Sequence, residues 1–157
     1  MSELLSAKPG DAGAIRALLE NNGLPTGDLA AAHAEFVVAY EGRNLKGAGA
    51  LQRFGTTALL RSVVVAADRR GAGLGQSIVC ELERRARAAG VKELVLLTQT
   101  ATCFFQRQGY RFVERGGVAQ AVQESEEFRS LCPASATCMA KNLTDSPPGL
   151  NDGRRPL

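Results

Sequence analysis

Two arginines and three glycines lie together in the middle of the chain, where an apolar run ends. Residues 63–79 read "VVVAADRRGAGLGQSIV", so that Arg69 and Arg70 come directly before the glycines. The glycines occupy alternate positions: Gly71, Gly73 and Gly75. Because glycine has no Cβ, phosphate oxygens can approach the backbone N–H groups, and arginine adds charge-assisted hydrogen bonds to the same oxygens. These residues predict a phosphate-binding turn whose length favours a diphosphate.

The segments on either side of the turn strengthen this interpretation. A valine-rich strand precedes the turn. The helix after the turn has an apolar stripe and ends at Gly90. The stripe consists of Ile78, Val79, Leu82 and Ala86. The first N–H groups of a helix lack intrahelical partners and attract anions. A simple tight turn is the structural alternative, and the regular spacing beside two arginines disfavours it.

Two other phosphate-binding motifs do not fit the glycine pattern. No "GK[ST]" follows the glycines, which excludes a nucleoside-triphosphate loop of the usual kind. A dinucleotide fold carries its glycines in the first strand–helix unit and an acid at the end of the next strand. Here the glycines follow a predicted hairpin, and the next strand ends in "LLTQT". The dinucleotide interpretation is therefore disfavoured.

The composition is that of a soluble globular domain. The 157 residues are 45% hydrophobic and 22% charged, and the net charge of +3 is too small to indicate nucleic acid as a partner. No apolar run approaches the roughly 18 residues of a membrane span, and the N-terminus does not resemble a signal peptide. Four cysteines without CxxC spacing suit a reducing compartment. We therefore expect a cytoplasmic protein without a membrane partner or a metal.

The order of predicted elements indicates one α/β domain of mixed α+β character, with a central mixed sheet flanked by helices. Two strands joined by a hairpin at "EGRN" are predicted within "EFVVAYEGRNLKGAGALQRFG". Further strands are predicted at "ELLSA", "ALLRSVVVA", "KELVLLTQT", "YRFVER" and "SATCMAKNL". Besides the helix after the glycines, helices are predicted from an Asp11 N-cap to Gly23, at "PTGDLAAAH", at "TATCFFQRQ" and at "QAVQESEEFRSL". The domain is expected to span residues 1–143, and residues 144–157 are expected to form a flexible tail.

The sequence resembles the GNAT family of N-acetyltransferases. Arg70, Gly73 and Gly75 fill the fixed places of the family's acyl-CoA motif, Q/R-x-x-G-x-G/A, and "FFQRQGYRFVER" matches a second family pattern. The resemblance implies that strands splay apart to bind acetyl-CoA. Its diphosphate would lie on residues 70–76, and its pantetheine arm would pair with the backbone of residues 63–65. The coenzyme site is thus expected to comprise Val63, Val64, Val65, Arg70, Gly71, Ala72, Gly73, Leu74, Gly75, Gln76 and Phe104.

A closer resemblance is to small bacterial arsenic-resistance N-acetyltransferases, which are similar to the domains that acetylate glutamate. It rests on "LLRSVVV", "LVLLTQTATCFFQRQGYRFVER" and "EFRSLCPASATCMAKNL". It implies acetylation of the α-amine of a small amino acid, or of an arsenic-containing glutamate analogue. Members of the family often pair, so a homodimer is one expected assembly, although the sequence itself does not fix the oligomeric state.

Three polar residues at the predicted strand ends are candidates for binding the acceptor. Strict alternation along the strand places Arg61 on the same face as Val63 and Val65, where its fork could grip a carboxylate. The alternative is an exposed strand start where Arg61 pairs with a surface acid. Thr98 and Thr100 could bind the carboxylate or the amine, and Thr100 could instead cap the next helix.

The proton-transfer groups are not fixed by the sequence. An attacking amine must lose a proton, and Glu35 is the candidate base, while His33 is expected to be a surface residue. Many relatives carry a tyrosine acid where this chain has Phe105, and Tyr110 is expected to pack in the sheet. Water could therefore serve as the acid, and a backbone N–H near residues 63–64 could stabilise the thioester oxygen.

Two other functions remain open at the sequence level. One is acetylation of a protein lysine or N-terminus. The other is a non-catalytic acyl-CoA or metalloid-binding module, since trivalent arsenic binds thiolates and Cys103, Cys132 and Cys138 could meet in space. Their scattered spacing and apolar neighbours instead favour plain burial.

Overall fold

A seven-stranded mixed sheet organises the protein, whose computed structural model describes residues 3–24, 26–27, 34–125, 127–131 and 135–144. The strands are β1 (Glu3–Ser6), β2 (Glu35–Glu41), β3 (Asn44–Phe54), β4 (Thr57–Val65), β5 (Glu93–Thr98), β6 (Arg111–Phe112) and β7 (Thr137–Asn142). The helices are α1 (Ala12–Asn21), α2 (Leu74–Ala88), α3 (Thr102–Arg107) and α4 (Gln120–Gln123), and a π-helical turn covers Glu127–Leu131. The strand order is β1-β2-β3-β4-β5-β7-β6.

All pairings in the sheet are antiparallel except that of β4 with β5, which is parallel. The predicted mixed sheet with flanking helices is confirmed. The predicted hairpin at "EGRN" is present, with Gly42 in the left-handed region at φ 61°. Two predictions need correction: the strand at "YRFVER" shortens to two residues, and the helix at "QAVQESEEFRSL" divides into α4 and the π-helical turn.

The helices cover both faces of the sheet. The predicted apolar stripe of α2 packs on one face, in a core that includes Leu60, Leu96 and Met139. The opposite face has two smaller cores. One joins α1 to Val38, Ala48 and Val64, and the other joins α4 and Phe128 to Leu59 and Val95. Strands β4 and β5 are therefore buried on both faces, as their valine and leucine content predicts.

Two glycines of β3 let α2 approach the sheet closely. A Cβ at Gly47 would lie 2.8 Å from Ile78 Cδ1, and a Cβ at Gly49 would lie 2.7 Å from Ile78 Cγ2. Both distances are too short for a real side chain, so "GAGAL" sets the depth at which α2 lies. The sequence interpretation had no role for these glycines.

Asp11 is the N-cap residue of α1, as predicted, but its side chain makes no capping hydrogen bond. Asp11 also ends a short 3₁₀ turn, and its carboxylate accepts hydrogen bonds from the Lys8 N–H and the Tyr40 hydroxyl, both at 2.7 Å. The main-chain bond, reinforced by the tyrosine, lowers the pKa of this carboxyl. Asp11 thereby ties the N-terminal turn to β2.

Three sequence predictions fall wholly or mainly outside the described residues: the short helix over 25–33, the surface position of His33 and the tail. Within the described chain, Leu143 is the last buried residue. No helix of the described part is long and apolar enough to cross a membrane.

Candidate active site

A cleft opens where β4 and β5 separate. The two strands pair only over Thr57–Leu59 and Glu93–Val95, although β4 stays paired with β3 through Val65 and β5 stays paired with β7 through Thr98. A cavity of about 780 Å³ fills the gap between the diverging strand ends. Strand β4, the end of β5 and the residues after α1 line it. The predicted splay of neighbouring strands is thus present at the centre of the sheet.

A β-bulge in β4 shapes this cleft. Arg61 pairs with Ala50 and Val64 pairs with Ala48, so two residues, Ser62 and Val63, lie opposite the single Gly49. The extra residue shifts the alternation of side chains by one. Arg61 therefore shares its face with Val64, and the prediction that it shares a face with Val63 and Val65 is wrong.

The main chain of Val65 is turned toward the cleft. The N–H of Ala66 donates to Lys46 O at 2.8 Å, toward β3, and adjacent residues of a strand point their polar groups to opposite edges. The Val65 carbonyl accordingly accepts a hydrogen bond from Arg70 Nε at 3.2 Å across the cleft. This edge offers polar backbone groups to an extended ligand.

The glycine turn lies at the mouth of the cleft. Gly71 and Gly73 have φ of 83° and 86°, values that other residues rarely adopt, so both are required by the turn. A Cβ at Gly75 would lie 3.4 Å from Phe104 Cζ, so this glycine lies against the Phe104 ring. A second cavity of about 450 Å³ borders these residues together with Gln76.

The start of α2 presents donors to this second cavity. The N–H of Ser77 is the first to close an α-helical turn, bonding Gly73 O at 3.1 Å. The N–H groups of Leu74, Gly75 and Gln76 precede it and have no carbonyl one turn back inside the helix. Five of the residues predicted between 70 and 76 border this cavity, whereas Ala72 is exposed outside its lining and Leu74 is buried in the core. The five are Arg70, Gly71, Gly73, Gly75 and Gln76.

The two arginines of the turn have different partners. Arg69 pairs with Glu41 at 2.7 Å, which takes it toward the β2–β3 turn. Arg70 lines both cavities and bonds Asn22 Oδ1 as well as the Val65 carbonyl. Sequence reasoning missed Arg107, which adds another cation to the smaller cavity.

Arg61 lines the larger cavity but lies in the interior. It is 2% exposed, its Nε is 3.3 Å from Glu127 Oε1, and its Nη1 donates to Gln52 Oε1 at 3.0 Å. The alternative of an exposed strand start with a surface acid is therefore wrong. Its acidic partner is itself almost wholly buried, on the π-helical turn.

Thr98 and Thr100 both line the larger cavity. The helix-capping role expected of Thr100 is absent, because Ala101 is the residue before α3 and no side chain caps this helix. Thr98 Oγ1 instead accepts the Ala101 N–H at 3.0 Å in the turn before α3. Since α3 begins one residue later than a cap at Thr100 requires, Thr100 lies on the exposed rim. Thr98 thus joins the end of β5 to the start of α3.

The candidate base is not brought to the cleft. Glu35 begins β2, is exposed, and lies 2.9 Å from Arg53 Nε, away from both cavities. Among the described residues that line the larger cavity, none is aspartate, glutamate or histidine. In this part of the chain, hydroxyl, amide and backbone groups are what the cavity offers to an amine.

An aromatic wall separates the cleft from a buried polar cluster. Phe104 and Phe105 line the smaller cavity and meet edge to face, with ring centroids 5.0 Å apart, and Phe105 packs on Tyr110. Tyr110 is buried, as predicted, and donates to Glu83 Oε2 at 2.9 Å, while Lys141 Nζ lies 3.1 Å from Glu83 Oε1. Burial, with the Glu83 charge, raises the pKa of Tyr110 well above its usual value.

The cysteines do not share one environment. Cys138 is buried, and burial raises its pKa to about 11, whereas Cys80 and Cys103 are exposed. The expectation of burial is therefore wrong for Cys103, and Cys132 lies outside the described residues. No group of three His, Cys, Asp or Glu side chains within the described chain is arranged to hold a metal ion.

Sequence and structure comparisons agree with this geometry. Residues 32–112, just over half of the chain, match the acetyltransferase (GNAT) domain profile. A search of curated proteins finds no match. Similar folds occur in N-acetylglutamate synthase from Neisseria gonorrhoeae, solved with coenzyme A and N-acetyl-glutamate, and in Rv2747 from Mycobacterium tuberculosis, solved with CoA and NLQ. The ribosomal-protein-S18-alanine N-acetyltransferase from Escherichia coli is also similar.

The three similarities differ in extent. The Neisseria enzyme is 18% identical with a TM-score of 0.78, and the match covers 91% of this chain but only 35% of that one. This chain therefore spans about a third of the length of that enzyme. Rv2747 is 24% identical with a TM-score of 0.75, and the match covers 89% of this chain and 98% of that one. The S18-alanine enzyme is 16% identical with a TM-score of 0.71, and the match covers 96% of this chain and 99% of that one.

Proposed function

The chain belongs to the acetyltransferase (GNAT) family, and we propose that it is an N-acetyltransferase that uses acetyl-CoA and whose acceptor is the α-amine of a small amino acid. The observation that carries the proposal is the central cleft, where the glycine turn meets a cavity lined by Arg61 and Arg70. The turn supplies the place for a diphosphate, and the cavity supplies the place for a small anionic acceptor.

The coenzyme site follows from the backbone groups of the cleft. The N–H groups of residues 74–76 and the glycines before them suit the diphosphate, with Arg70 adding charge. The polar edge of β4 at residues 63–65 suits the amides of the pantetheine arm, which would extend the sheet as an added strand. Phe104, against Gly75, would form the apolar side of this channel.

The charge of the larger cavity supports an acceptor with a carboxylate. The charged side chains on its described wall are two arginines, while Thr98, Gln99 and Thr100 add neutral polar groups. A carboxylate suits this lining, since guanidinium binds it through two parallel hydrogen bonds. Lysine side chains in peptides bring an additional cation and no carboxylate at the reacting end, which suits the lining less well.

The reaction joins the amine nitrogen to the acetyl carbon and releases the thiol. The acceptor must first lose a proton, and water is the carrier that the described cavity allows. A backbone N–H at the bulge of β4, near Val63 or Val64, would stabilise charge that builds on the carbonyl oxygen. Holding the two reactants in one cleft supplies much of the remaining acceleration.

A thiol-release assay with acetyl-CoA tests the proposal. The acceptor panel should contain the twenty amino acids, an arsenic-containing glutamate analogue, and peptides with a free N-terminus or a lysine. Release with amino acids, above all glutamate-like ones, is the expected result. Release only with peptides would instead support a protein acetyltransferase, the activity of the S18-alanine neighbour. Coenzyme binding without any release would support a non-catalytic module.

A further inference from the structure

Ser62 has a backbone conformation that serine seldom adopts. Its φ is 58°, and among the described residues every other positive φ belongs to glycine. A residue with a Cβ loses roughly 1 to 2 kcal/mol in this left-handed region. Such strain persists only where the surroundings enforce it, and it is concentrated at functional sites. A serine at this position, where a glycine would fit without strain, therefore indicates a role for its side chain.

The bulge itself does not require a hydroxyl. Gly49 lies opposite Ser62 and Val63. Helix α2 packs closely on this glycine, since a Cβ there would be 2.9 Å from Leu82 Cδ1. The helix thus sets the path of β4 through backbone and apolar contacts. A glycine at position 62 would follow this path without strain.

Ser62 lines the larger cavity, where the proposed acceptor would bind. Ser62 is 9% exposed and is part of the cavity wall between β4 and β5. In the described part of the chain, its hydroxyl makes no hydrogen bond, unlike the other buried serine, Ser125, whose hydroxyl donates to Val122 O at 2.6 Å. No described residue engages this hydroxyl, and it is therefore available to a partner in the cavity.

We propose that the Ser62 hydroxyl is a catalytic contact that accepts a hydrogen bond from the attacking amine of the acceptor. The inference rests on the proposed function. As the N–C bond forms and the C–S bond breaks, positive charge develops on the nitrogen, and its N–H bonds more strongly to the hydroxyl oxygen. The amine proton then passes to water, the departing thiolate is protonated, and the serine remains unmodified.

Other groups of the cavity are less suited to this contact. Thr98 Oγ1 already accepts the Ala101 N–H, and Thr100 lies on the exposed rim. The backbone N–H groups of the bulge can only donate, so they serve the carbonyl oxygen and not the amine. Ser62 therefore supplies an acceptor at the point where the strand edge bends toward the cleft.

Two variants separate the hydroxyl from the backbone strain. Ser62→Ala removes the hydroxyl and keeps the Cβ, whereas Ser62→Gly removes the hydroxyl and relieves the strain. We expect both to lower kcat about tenfold to a hundredfold with the best acceptor of the amino-acid panel. The affinity for coenzyme A, measured by calorimetry, should stay unchanged in both. Ser6→Ala, outside the cleft, is the matched control and should keep full activity.

The outcomes distinguish this inference from the proposed function. If the wild-type protein acetylates an amino acid and both variants are as active as the wild type, the Ser62 contact is overturned and the proposed function is not. Loss of activity in Ser62→Ala but not in Ser62→Gly would also overturn it, because only the backbone would then matter. A wild-type protein that acetylates no amino acid would overturn the proposed acceptor, and the Ser62 contact with it. Equal loss in both variants with unchanged coenzyme binding is the supporting result.

Discussion

Arg61 and Glu127 form an ion pair inside the protein, with Nε and Oε1 3.3 Å apart and both side chains almost completely buried. The pair links β4, at the bulge, to the π-helical turn on one face of the sheet. Removing one member of such a pair leaves an uncompensated charge in the interior. Arg61 is therefore both a wall of the acceptor cavity and a part of the core.

This pair gives a stability prediction with a built-in control. Glu127→Gln should lower the free energy of unfolding by about 3 to 5 kcal/mol, because it removes the buried negative charge that pairs with the Arg61 guanidinium. Glu35→Gln breaks the exposed contact with Arg53 and should cost less than about 1 kcal/mol. Urea unfolding measures both. Equal effects of the two substitutions would contradict the buried character of the Arg61 pair.

The same arginine gives a kinetic prediction. Arg61→Lys keeps a positive charge opposite Glu127 but loses the planar fork that binds a carboxylate. We expect the KM for a carboxylate-bearing acceptor to rise about tenfold, the effect of losing one charge-assisted hydrogen bond, while the KM for acetyl-CoA stays unchanged. Steady-state kinetics with each substrate varied in turn would show it. If neither constant changed, Arg61 would have no role in holding the acceptor.

Gly73 is the residue whose substitution should damage the coenzyme site most directly. With φ at 86°, an alanine there is strained by roughly 1 to 2 kcal/mol and places a methyl group where phosphate oxygens would approach. We expect Gly73→Ala to weaken coenzyme A binding at least about tenfold in calorimetry, with the fold retained. Gly13→Ala in α1, a glycine without positive φ and with open space around it, should leave binding unchanged. Unaltered affinity in Gly73→Ala would refute the phosphate turn.

Arg70 should contribute charge to the bound diphosphate. Arg70 bonds Val65 O and Asn22, and a phosphate would offer it a stronger, charged partner. Arg70→Ala is expected to raise the Kd for coenzyme A about tenfold and to make it less sensitive to salt. Arg84→Ala, which removes an exposed arginine of α2 paired with Glu81, is the control and should do neither. Wild-type salt dependence in Arg70→Ala would exclude the contact.

The thiols should react with iodoacetamide in a fixed order. Burial raises the pKa of Cys138 to about 11, so at pH 7.5 this thiol is protonated and unreactive, and its thiolate fraction grows only as the pH approaches 11. Cys80 and Cys103 are exposed and should be modified first. Peptide mass spectrometry of the folded and the urea-unfolded protein measures the order. Modification of Cys138 at the rate of Cys103 in the folded protein would contradict its burial.

Local patterns allowed part of the structure to be predicted. The stripe of α2 and the glycine turn follow from neighbouring residues, since helical periodicity and positive φ are local properties. The bulge of β4 could not be predicted in this way, because it depends on Gly49 of another strand and on the helix packed beneath it. The face assigned to Arg61 was consequently wrong.

The partners of buried polar groups were also beyond reach of the sequence. Glu83 lies on the apolar stripe of α2, which was a usable signal of an unusual burial. Its partners, Tyr110 and Lys141, are 27 and 58 residues away, and nothing local identifies them. The sequence alone also does not separate Thr98, which ends β5, from Thr100, which lies in the turn before α3.

The separation of β4 from β5 has a mechanical consequence. In the described part of the chain seven strands form one sheet, yet only three residue pairs connect its first four strands to the remaining three. A ligand lying along the gap would complete the missing hydrogen bonds and fasten the two halves together. Amides along this seam should then exchange with deuterium faster in the empty protein than in the bound one, and melting temperatures measured without coenzyme would understate the stability of the working enzyme.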